Sequence, residues 1–485
     1  MAGKCMILFI AGKEMHLARK NFWILTLLLI LFHGFLAAGI FALMRRSYGF
    51  CPKTNIHIVR IIETCDECPR QVNNLKSCPS MNLSDIQKKH NEFLLQSTRD
   101  RRNNVIDLSP YSAYYDDRKG PSGLPDIAVQ ILAMCRQRHL IMLNKLKCLL
   151  WFGNYSHPEL QSAQYNVIWD SPAEFQAILI TCKLPNDVTN VNHVSLTDSC
   201  HLPSNVIEVK QSYFANRSTE NIGLCNKVMY SAPDAIRLVE WLELNTLLGV
   251  NKFYIYNTTV NGRSNDVIQL YSKRGTIALR QHDYLDKVSR SIQGFPFPSP
   301  DYTQNWQLEV ISLTDCIYSA KERYLVVIDL DEILYPISGN FKQLLKENGF
   351  QIHNKSAALT FFTTIFSAEF GPDLASNASW YLHTMRYRKR TRLDWESPKS
   401  IIDSHRCKGV GQHVCLKPLD GYTYRSNLEP KIGYVRHYRT TCRLTGEPGK
   451  CAKLMKRHFL DNALDSLSED LSVAVSEKLK LLDLL

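Results

Sequence analysis

The chain has 485 residues, 45% of them hydrophobic and 21% charged, a globular composition that excludes wholesale disorder and fibrous repeats. Lys and Arg number 58 against 46 Asp and Glu, a formal net charge of +12, but the excess forms no basic block, so no nucleic-acid partner is expected. At about 150 residues per domain the length allows roughly two to four domains, and fifteen cysteines point to an oxidising compartment.

From Phe22 to Met44 no residue is charged, and such a run can cross a bilayer, which takes ~20 apolar residues. A cleaved secretory signal has a shorter apolar core and a small-residue cleavage site. A retained signal-anchor at 22–44, behind a cytoplasmic tail of residues 1–21, is therefore expected. Lys13, Arg19 and Lys20 precede the span and Arg45, Arg46 and Lys53 follow it, so charge alone does not orient it. Two other features do. N-glycan sequons begin at Asn82, Asn154, Asn216, Asn257, Asn354 and Asn377, and every cysteine but Cys5 lies on the same side, which places the bulk of the chain in the lumen. Residues 45–104 read as a polar stem. Within it, Cys65 and Cys68 have no second CxxC to complete a zinc site, so a disulfide role is expected for them.

From Val105 the texture changes. Ile127–Met134, Ala177–Cys182 and Val206–Val209 have the character of short strands between Gly, Pro and Asn punctuation, so residues 105–225 are expected to form a β-rich region. Lys227–Tyr230 is a candidate strand. Pro233 and Asp234 then open a segment whose Ala235, Leu238, Val239 and Leu242 share a helical face, and Gly249 is its natural stop. Lys252–Tyr256 follows as a buried strand, which implies a parallel βαβ unit. Further helices are predicted at Asp266–Ser272 and from Gln304 to Ala320, further strands at Gly275–Arg280, Tyr324–Ile328 and Trp380–Met385. Residues 226–455 thus read as an α/β domain whose ligands belong beyond the carboxyl ends of its strands. Residues 456–485 read as a helical tail.

Directly after the Tyr324–Ile328 strand stand Asp329, Asp331 and Glu332. Three carboxylates at one strand end repel one another and call for a cation, and an oxygen donor set suits Mg²⁺ or Mn²⁺. The competing interpretation is a strand-end turn whose carboxylates cap a following helix. Arg386, Arg388, Lys389, Arg390 and Arg392 form a basic run that either faces a diphosphate or, as such runs more often do, solvent.

The run from Tyr230 to Asn257, the Thr314–Cys316 triplet, YLVVIDLDEILYP at 324–336, PKSIIDSHRCKGVGQH at 398–413 and YVRHYR at 434–439, together with SAYYDDR at Ser112–Arg118, resemble glycosyltransferase family 92. The resemblance extends from about Val105 to Cys451. It implies an α/β, glycosyltransferase A-type (Rossmann-like) catalytic domain with an attached β-rich N-terminal region. It also implies a Mn²⁺ ion and transfer of galactose from UDP-galactose in β-1,4 linkage to a galactose or fucose at the end of a glycoprotein N-glycan. Carried over, Asp329 and Asp331 become the metal pair, with Asp329 also serving the donor ribose. Of two candidate histidine ligands, His413 and His437, the strand-like run into His437 favours the latter, and Lys399 is a donor contact. An inverting transfer also needs a carboxylate base, for which Asp394 and Glu396 are the candidates. Cys407 and Cys415 suggest a local disulfide, which puts a role for His413 in doubt. The expected protein is a Golgi single-pass type II membrane enzyme. Another UDP-sugar donor, or a non-catalytic lectin-like protein, is the alternative.

Overall fold

The computed structural model describes residues 76–81, 98–99, 105–119, 127–153, 157–184, 190–200, 203, 205–212, 214–229, 232–257, 260–281, 302–442, 453 and 455–485. The expected anchor at 22–44, Cys65 and Cys68 lie outside the described residues. Among the described residues, no helix is long and apolar enough to cross a membrane.

Two sheets carry most of the chain. An eight-stranded sheet contains the expected strands as Ala128–Arg136, Phe175–Lys183 and Ile207–Gln211. Residues 76–81, which the sequence assigns to the stem, join this sheet. Lys76 and Ser77 pair with Leu160 and Glu159, and Cys78 is bonded to Cys200, 122 residues away. A two-residue strand has no periodicity by which a sequence could reveal it.

The second sheet has nine strands. Its order runs from Ile277–Gln281 through Val250–Asn257, Ser218–Cys225, Glu322–Val327, Asp394–Asp403, Ala358–Ser367 and Gly433–Arg439 to Glu332–Pro336, with the ninth strand, Ser426–Asn427, paired to Ala358–Ser367 off this path. The first four strands are parallel. From Ser218–Cys225 the chain steps outward through helices Ala235–Leu247 and Gly262–Lys273. After helix Tyr302–Ser319 it places Glu322–Val327 on the opposite side of Ser218–Cys225. Strand order reverses at that point, and open α/β sheets bind ligands beyond the carboxyl ends of the two strands at such a switch.

The sequence places the leading strand at Lys227–Tyr230, whereas it is Ser218–Cys225. Only the last four residues of this strand are buried, too short an apolar run to announce itself. Trp380–Met385 is not a strand either. It turns into the short helix His383–Arg386, whose first amides, those of His383 and Thr384, donate to buried Glu240 at 3.0 and 2.7 Å. That cap comes from a residue far away in sequence. The Ala235–Leu247 helix matches expectation. Asp234 accepts from the Arg237 amide at its start, and Gly249, at φ +100°, ends it in a conformation that only glycine adopts cheaply.

Tyr324, Val326 and Ile328 face an apolar layer containing helices Ala235–Leu247 and Ser468–Leu481. Leu325 and Val327 face another, against helix Tyr302–Ser319 and the first sheet. Burial on both faces accounts for the unbroken apolar strand. Leu471, Val475 and Leu479 are buried at helical spacing, so the C-terminal helix is a layer of the core.

Helix Tyr302–Ser319 also clamps the two sheets together. Gln304 exchanges hydrogen bonds with the backbone of Phe175 at 2.9 and 3.1 Å. Gln307 accepts from the Ala177 amide at 2.7 Å and donates to the Trp169 carbonyl at 2.8 Å. Asp315 accepts from Ser112 and Tyr114 of the first sheet and from Tyr256 of the second, at 2.8, 2.5 and 2.7 Å. Cys316 is bonded to Cys225. The Ser112–Arg118 and Thr314–Cys316 motifs are therefore the joint between the sheets.

Arg388, Lys389 and Arg390 of the basic run face protein groups. Arg388 lies 3.6 Å from Asp373 and 3.2 Å from Asp465, and Lys389 donates to the Phe370 carbonyl. Arg390 and fully buried Arg436 both reach Asp461 at 2.6 Å. Although burial disfavours its charge, Asp461 is drawn down to about 2 by Arg436 and by the Tyr434 hydroxyl. A depressed carboxyl stabilises the fold above its unfolded value near 3.9 and loses that contribution as pH falls toward 2. Asp461→Asn is expected to cost roughly 2–3 kcal/mol at pH 7, with the gap to wild type closing between about pH 4 and pH 2. Urea unfolding at a series of pH values checks it. A gap unchanged down to pH 2 contradicts the assignment.

Candidate functional site

The strand Glu322–Val327 ends at the switch point, and Asp329, Asp331 and Glu332 follow it. The Asp329 amide donates to Glu332 Oε2 at 3.0 Å, which makes a tight corner before the strand Glu332–Pro336. That strand pairs antiparallel with Gly433–Arg439, with Glu332 opposite His437. The ladder continues one residue further, the Tyr438 amide donating to the Asp331 carbonyl at 2.7 Å. Directly opposed residues hold their Cβ atoms about 5 Å apart. His437 is thereby placed between two acidic side chains, Nε2 at 3.1 Å from Asp331 Oδ2 and Nδ1 at 3.3 Å from Glu332 Oε1.

The three carboxylates differ in environment. Glu332 is buried, whereas the Asp331 side chain is 49% exposed and opens toward solvent. Asp329 faces two ammonium groups, Lys399 Nζ at 2.9 Å from Oδ2 and Lys227 Nζ at 3.6 Å from Oδ1. Lys399 Nζ also lies 3.1 Å from Glu332. Lys227, just beyond the neighbouring parallel strand, bridges in turn to Glu309 at 3.3 Å. The mutual repulsion that the sequence assigns to a cation is thus relieved within the protein by Lys227, Lys399 and His437. Burial works against the Asp329 charge, but the two lysines outweigh it and hold this carboxyl well below its ordinary range. Burial also disfavours charge on His437, yet Glu332 and Asp331 raise its affinity for a proton. Desolvation pushes Glu309 up to about 7 in spite of Lys227.

The structure brings Asp329, Asp331, Lys399 and His437 together. Lys399 is 1% exposed, its ammonium turned inward onto Asp329 and Glu332, the position of a support beneath the carboxylates. Asp394 opens the Asp394–Asp403 strand opposite Thr363, five residues before Lys399. The side chain of Glu396 lies outside the described residues. His413 does not join the Asp331–His437 pair, its Nδ1 lying 2.7 Å from the Pro398 carbonyl in the hairpin closed by the Cys407–Cys415 disulfide, although burial and the charge of nearby Lys399 lower its affinity for a proton. Sequence reasoning misses Lys227 and Glu309. The available signals are faint: a lysine two residues past a strand, and one of two acids on a helix of mixed polarity.

Among the described residues, no three His, Cys, Asp or Glu side chains stand gathered at ligand spacing around a point. The fit of a divalent ion rests on the donor pair Asp331 and His437, with the solvent-facing side of Asp331 left for water and substrate oxygens, as Mg²⁺- and Mn²⁺-type sites require. A carboxylate beside Nδ1, here Glu332, is the usual partner that orients a metal-binding imidazole and leaves Nε2 to the ion. These residues fit such an ion, whereas Asp329, engaged by two lysines, fits a supporting place.

The profile of glycosyltransferase family 92 matches residues 220–474, more than half of the chain. Beta-1,4-galactosyltransferase galt-1 of Caenorhabditis elegans is 25% identical over 240 residues, 47% of this chain and 51% of that protein. The chain therefore spans about half the length of this curated relative. Among solved structures, S. aureus TarS 1-349 aligns with 45% of this chain and 60% of its own at 12% identity and a TM-score of 0.24. A mycobacterial protein aligns with 50% of this chain and 72% of its own at 10% identity and a TM-score of 0.24. These structural likenesses are too slight to carry an argument. The profile match, spanning the switch point, the Asp329–Glu332 corner and the His437 strand, shows that the chain belongs to glycosyltransferase family 92, a family of sugar-transferring enzymes.

Proposed function

We propose that this chain is a Mn²⁺-dependent, inverting galactosyltransferase of the glycosyltransferase A type. It moves galactose from UDP-galactose in β-1,4 linkage onto a galactose or fucose at the end of a glycoprotein N-glycan. The observation that carries the reading is the Asp331–His437–Glu332 arrangement at the switch point of a family 92 domain. The name of the nematode relative supports the donor and linkage.

In this reading Asp331 and His437 hold the ion, and Glu332 fixes the imidazole. Lys399 and Lys227 hold the Asp329 corner rigid, so that Asp331 stands in place before donor binds, and Asp329 lies at the edge of the donor ribose. Bound there, the ion would offset negative charge on the departing diphosphate. Asp394 and Glu396 are the carboxylates available to take the proton of the acceptor hydroxyl.

We place the enzyme in the Golgi membrane as a single-pass type II protein with a lumenal catalytic domain. The Cys78–Cys200, Cys148–Cys182, Cys225–Cys316 and Cys407–Cys415 disulfides and the exposed sequon asparagines Asn216, Asn354 and Asn377 support that topology. Asn257 is buried and accepts from the Val260 amide, so it is not a glycan site in the folded protein. Full-length protein from animal cells should lose apparent mass on peptide-N-glycosidase treatment, and an unchanged gel position contradicts the topology.

The deciding experiment offers UDP-galactose, UDP-N-acetylglucosamine, UDP-N-acetylgalactosamine and UDP-glucose in turn, with galactose- and fucose-terminated N-glycans as acceptors. Transfer from UDP-galactose that depends on Mn²⁺ and stops in EDTA is expected. Preference for another donor, or transfer undiminished in EDTA, overturns the corresponding part of the reading.

A further inference from the structure

Near the carboxylate cluster, a cavity of about 210 Å³ opens between helix Tyr302–Ser319, the segment at Trp169 and the disulfide hairpin, lined by Trp169, Trp306, Val310, Gln412, His413 and Leu416 among others. Three separate parts of the chain build it. Trp306 and Val310 are one turn apart on helix Tyr302–Ser319, the helix that carries Glu309. Trp169 comes from the N-terminal β-rich region and is held there by Gln307, which donates to its carbonyl at 2.8 Å. Gln412 and His413 come from the hairpin, whose His413 ring is fixed by Pro398, the residue before Lys399. The cavity is therefore coupled to the reaction centre through one short segment.

Its chemistry is specific. The two indoles stand with centroids 5.7 Å apart and planes tilted by 51°, and Trp306 is 38% exposed, unusual for the largest side chain. The Gln412 Nε2 amide is buried without a hydrogen-bond partner among the described residues, a donor whose desolvation is uncompensated. Apolar faces with a spare amide donor and an imidazole suit a molecule that is apolar on one face and rich in hydroxyls at its edge, as a pyranose is. At their separation the two indoles touch each other, so a ligand ring lies across their exposed faces and not between them. The volume, below the ~300–1,000 Å³ of drug-sized sites, suits a single sugar ring.

We infer that this cavity binds the terminal pyranose of the acceptor glycan, with the Trp169–Trp306 pair as the apolar surface it stacks on and Gln412 as a donor to its hydroxyls. The N-terminal β-rich region then contributes to acceptor recognition through Trp169. The inference rests on the glycosyl-transfer reading for its choice of acceptor over donor, and the test separates the two.

In the full-length chain, a galactose-terminated N-glycan should change intrinsic tryptophan fluorescence saturably, and Trp306→Ala and Trp169→Ala should each weaken that binding about tenfold. UDP binding should stay unchanged. In turnover the same variants should raise acceptor KM by a similar factor while kcat and donor KM hold within about twofold. Trp306→Phe should restore most of the affinity, and Gln412→Ala, which removes the buried amide donor, should show a smaller rise in acceptor KM alone. Loss of UDP binding or a raised donor KM in the tryptophan variants would assign the cavity to the donor and overturn the inference. So would unchanged glycan affinity and acceptor KM. Absence of transfer from any donor would count against the proposed activity, while the fluorescence titration would still decide the cavity.

Discussion

Asp331→Asn is expected to lower transferase turnover by about 10²-fold or more, in the range of a lost electrostatic stabiliser at a reacting centre. Asp331 is the exposed member of the acidic corner, the one whose oxygen meets His437 Nε2 at 3.1 Å while its other side faces solvent. The amide keeps the size and removes the charge, so the ion would be held by the imidazole and substrate alone. Desolvation works against its charge, but His437 draws the Asp331 carboxyl below its ordinary value, so it is ionised at neutral pH, as the proposed metal role requires. Binding a metal at His437 must displace a proton from a group whose affinity for protons is raised. Half-saturating Mn²⁺ should therefore rise as pH is lowered. The fold should survive, since Asp331 contributes its backbone carbonyl, not its side chain, to the ladder. Turnover across a Mn²⁺ titration at two pH values, with thermal unfolding in EDTA, checks all three points. Near-normal turnover in Asp331→Asn would restore the interpretation of the corner as a strand-end turn.

Lys399→Met should have its main effect on stability. The Lys399 ammonium lies between Asp329 and Glu332, at 2.9 and 3.1 Å, and burial alone would oppose its charge, yet these two carboxylates raise its pKa. Removing it leaves two close acids with Lys227 alone on one side. Breaking a buried pair by deleting one partner costs about 3–5 kcal/mol, here a fall in Tm on the order of 5–10 °C. The pH dependence has a definite sign. Burial already raises Glu332 with Lys399 in place, and without that ammonium its folded-state pKa rises further while the depression of Asp329 is relieved in part. A carboxyl raised above its unfolded value contributes at low pH and loses that contribution as pH rises, so the deficit against wild type should be larger at pH 8 than at pH 5. Asp329→Asn in the same chain should recover part of the loss, because the two sites share one interaction. A Lys399→Met protein as stable as wild type at pH 8 would mean that Lys227 and His437 carry the corner without it.

The acidic corner was legible in the sequence because everything that makes it is local: an apolar strand that must be buried on both faces, then three carboxylates within four residues. The helix Ala235–Leu247, with Asp234 at one end and Gly249 at the other, was legible for the same reason, since caps and periodicity act over a few residues. The resemblance singled out His437, but its place beside Asp331 is a consequence of register. Only the antiparallel pairing of Glu332–Pro336 with Gly433–Arg439 sets His437 opposite Glu332.

The sheet order likewise decided what neutralises the corner. Lys227 reaches Asp329 because Ser218–Cys225 and Glu322–Val327, about a hundred residues apart, are adjacent parallel strands, and Lys399 does so because Asp394–Asp403 flanks the same strand. Charge spacing along the chain could suggest a cation but not that lysines supply it. Trp380–Met385 has the composition of a strand, and it became a turn and a short helix because Glu240, held on a distant helix, satisfies the amides that a strand would have left for a ladder. Local sequence thus determined which segments are apolar, where they start and stop, and where acid is concentrated. The partners of each buried charge were decided by which strands lie side by side, a property of the folded sheet that no window of sequence contains.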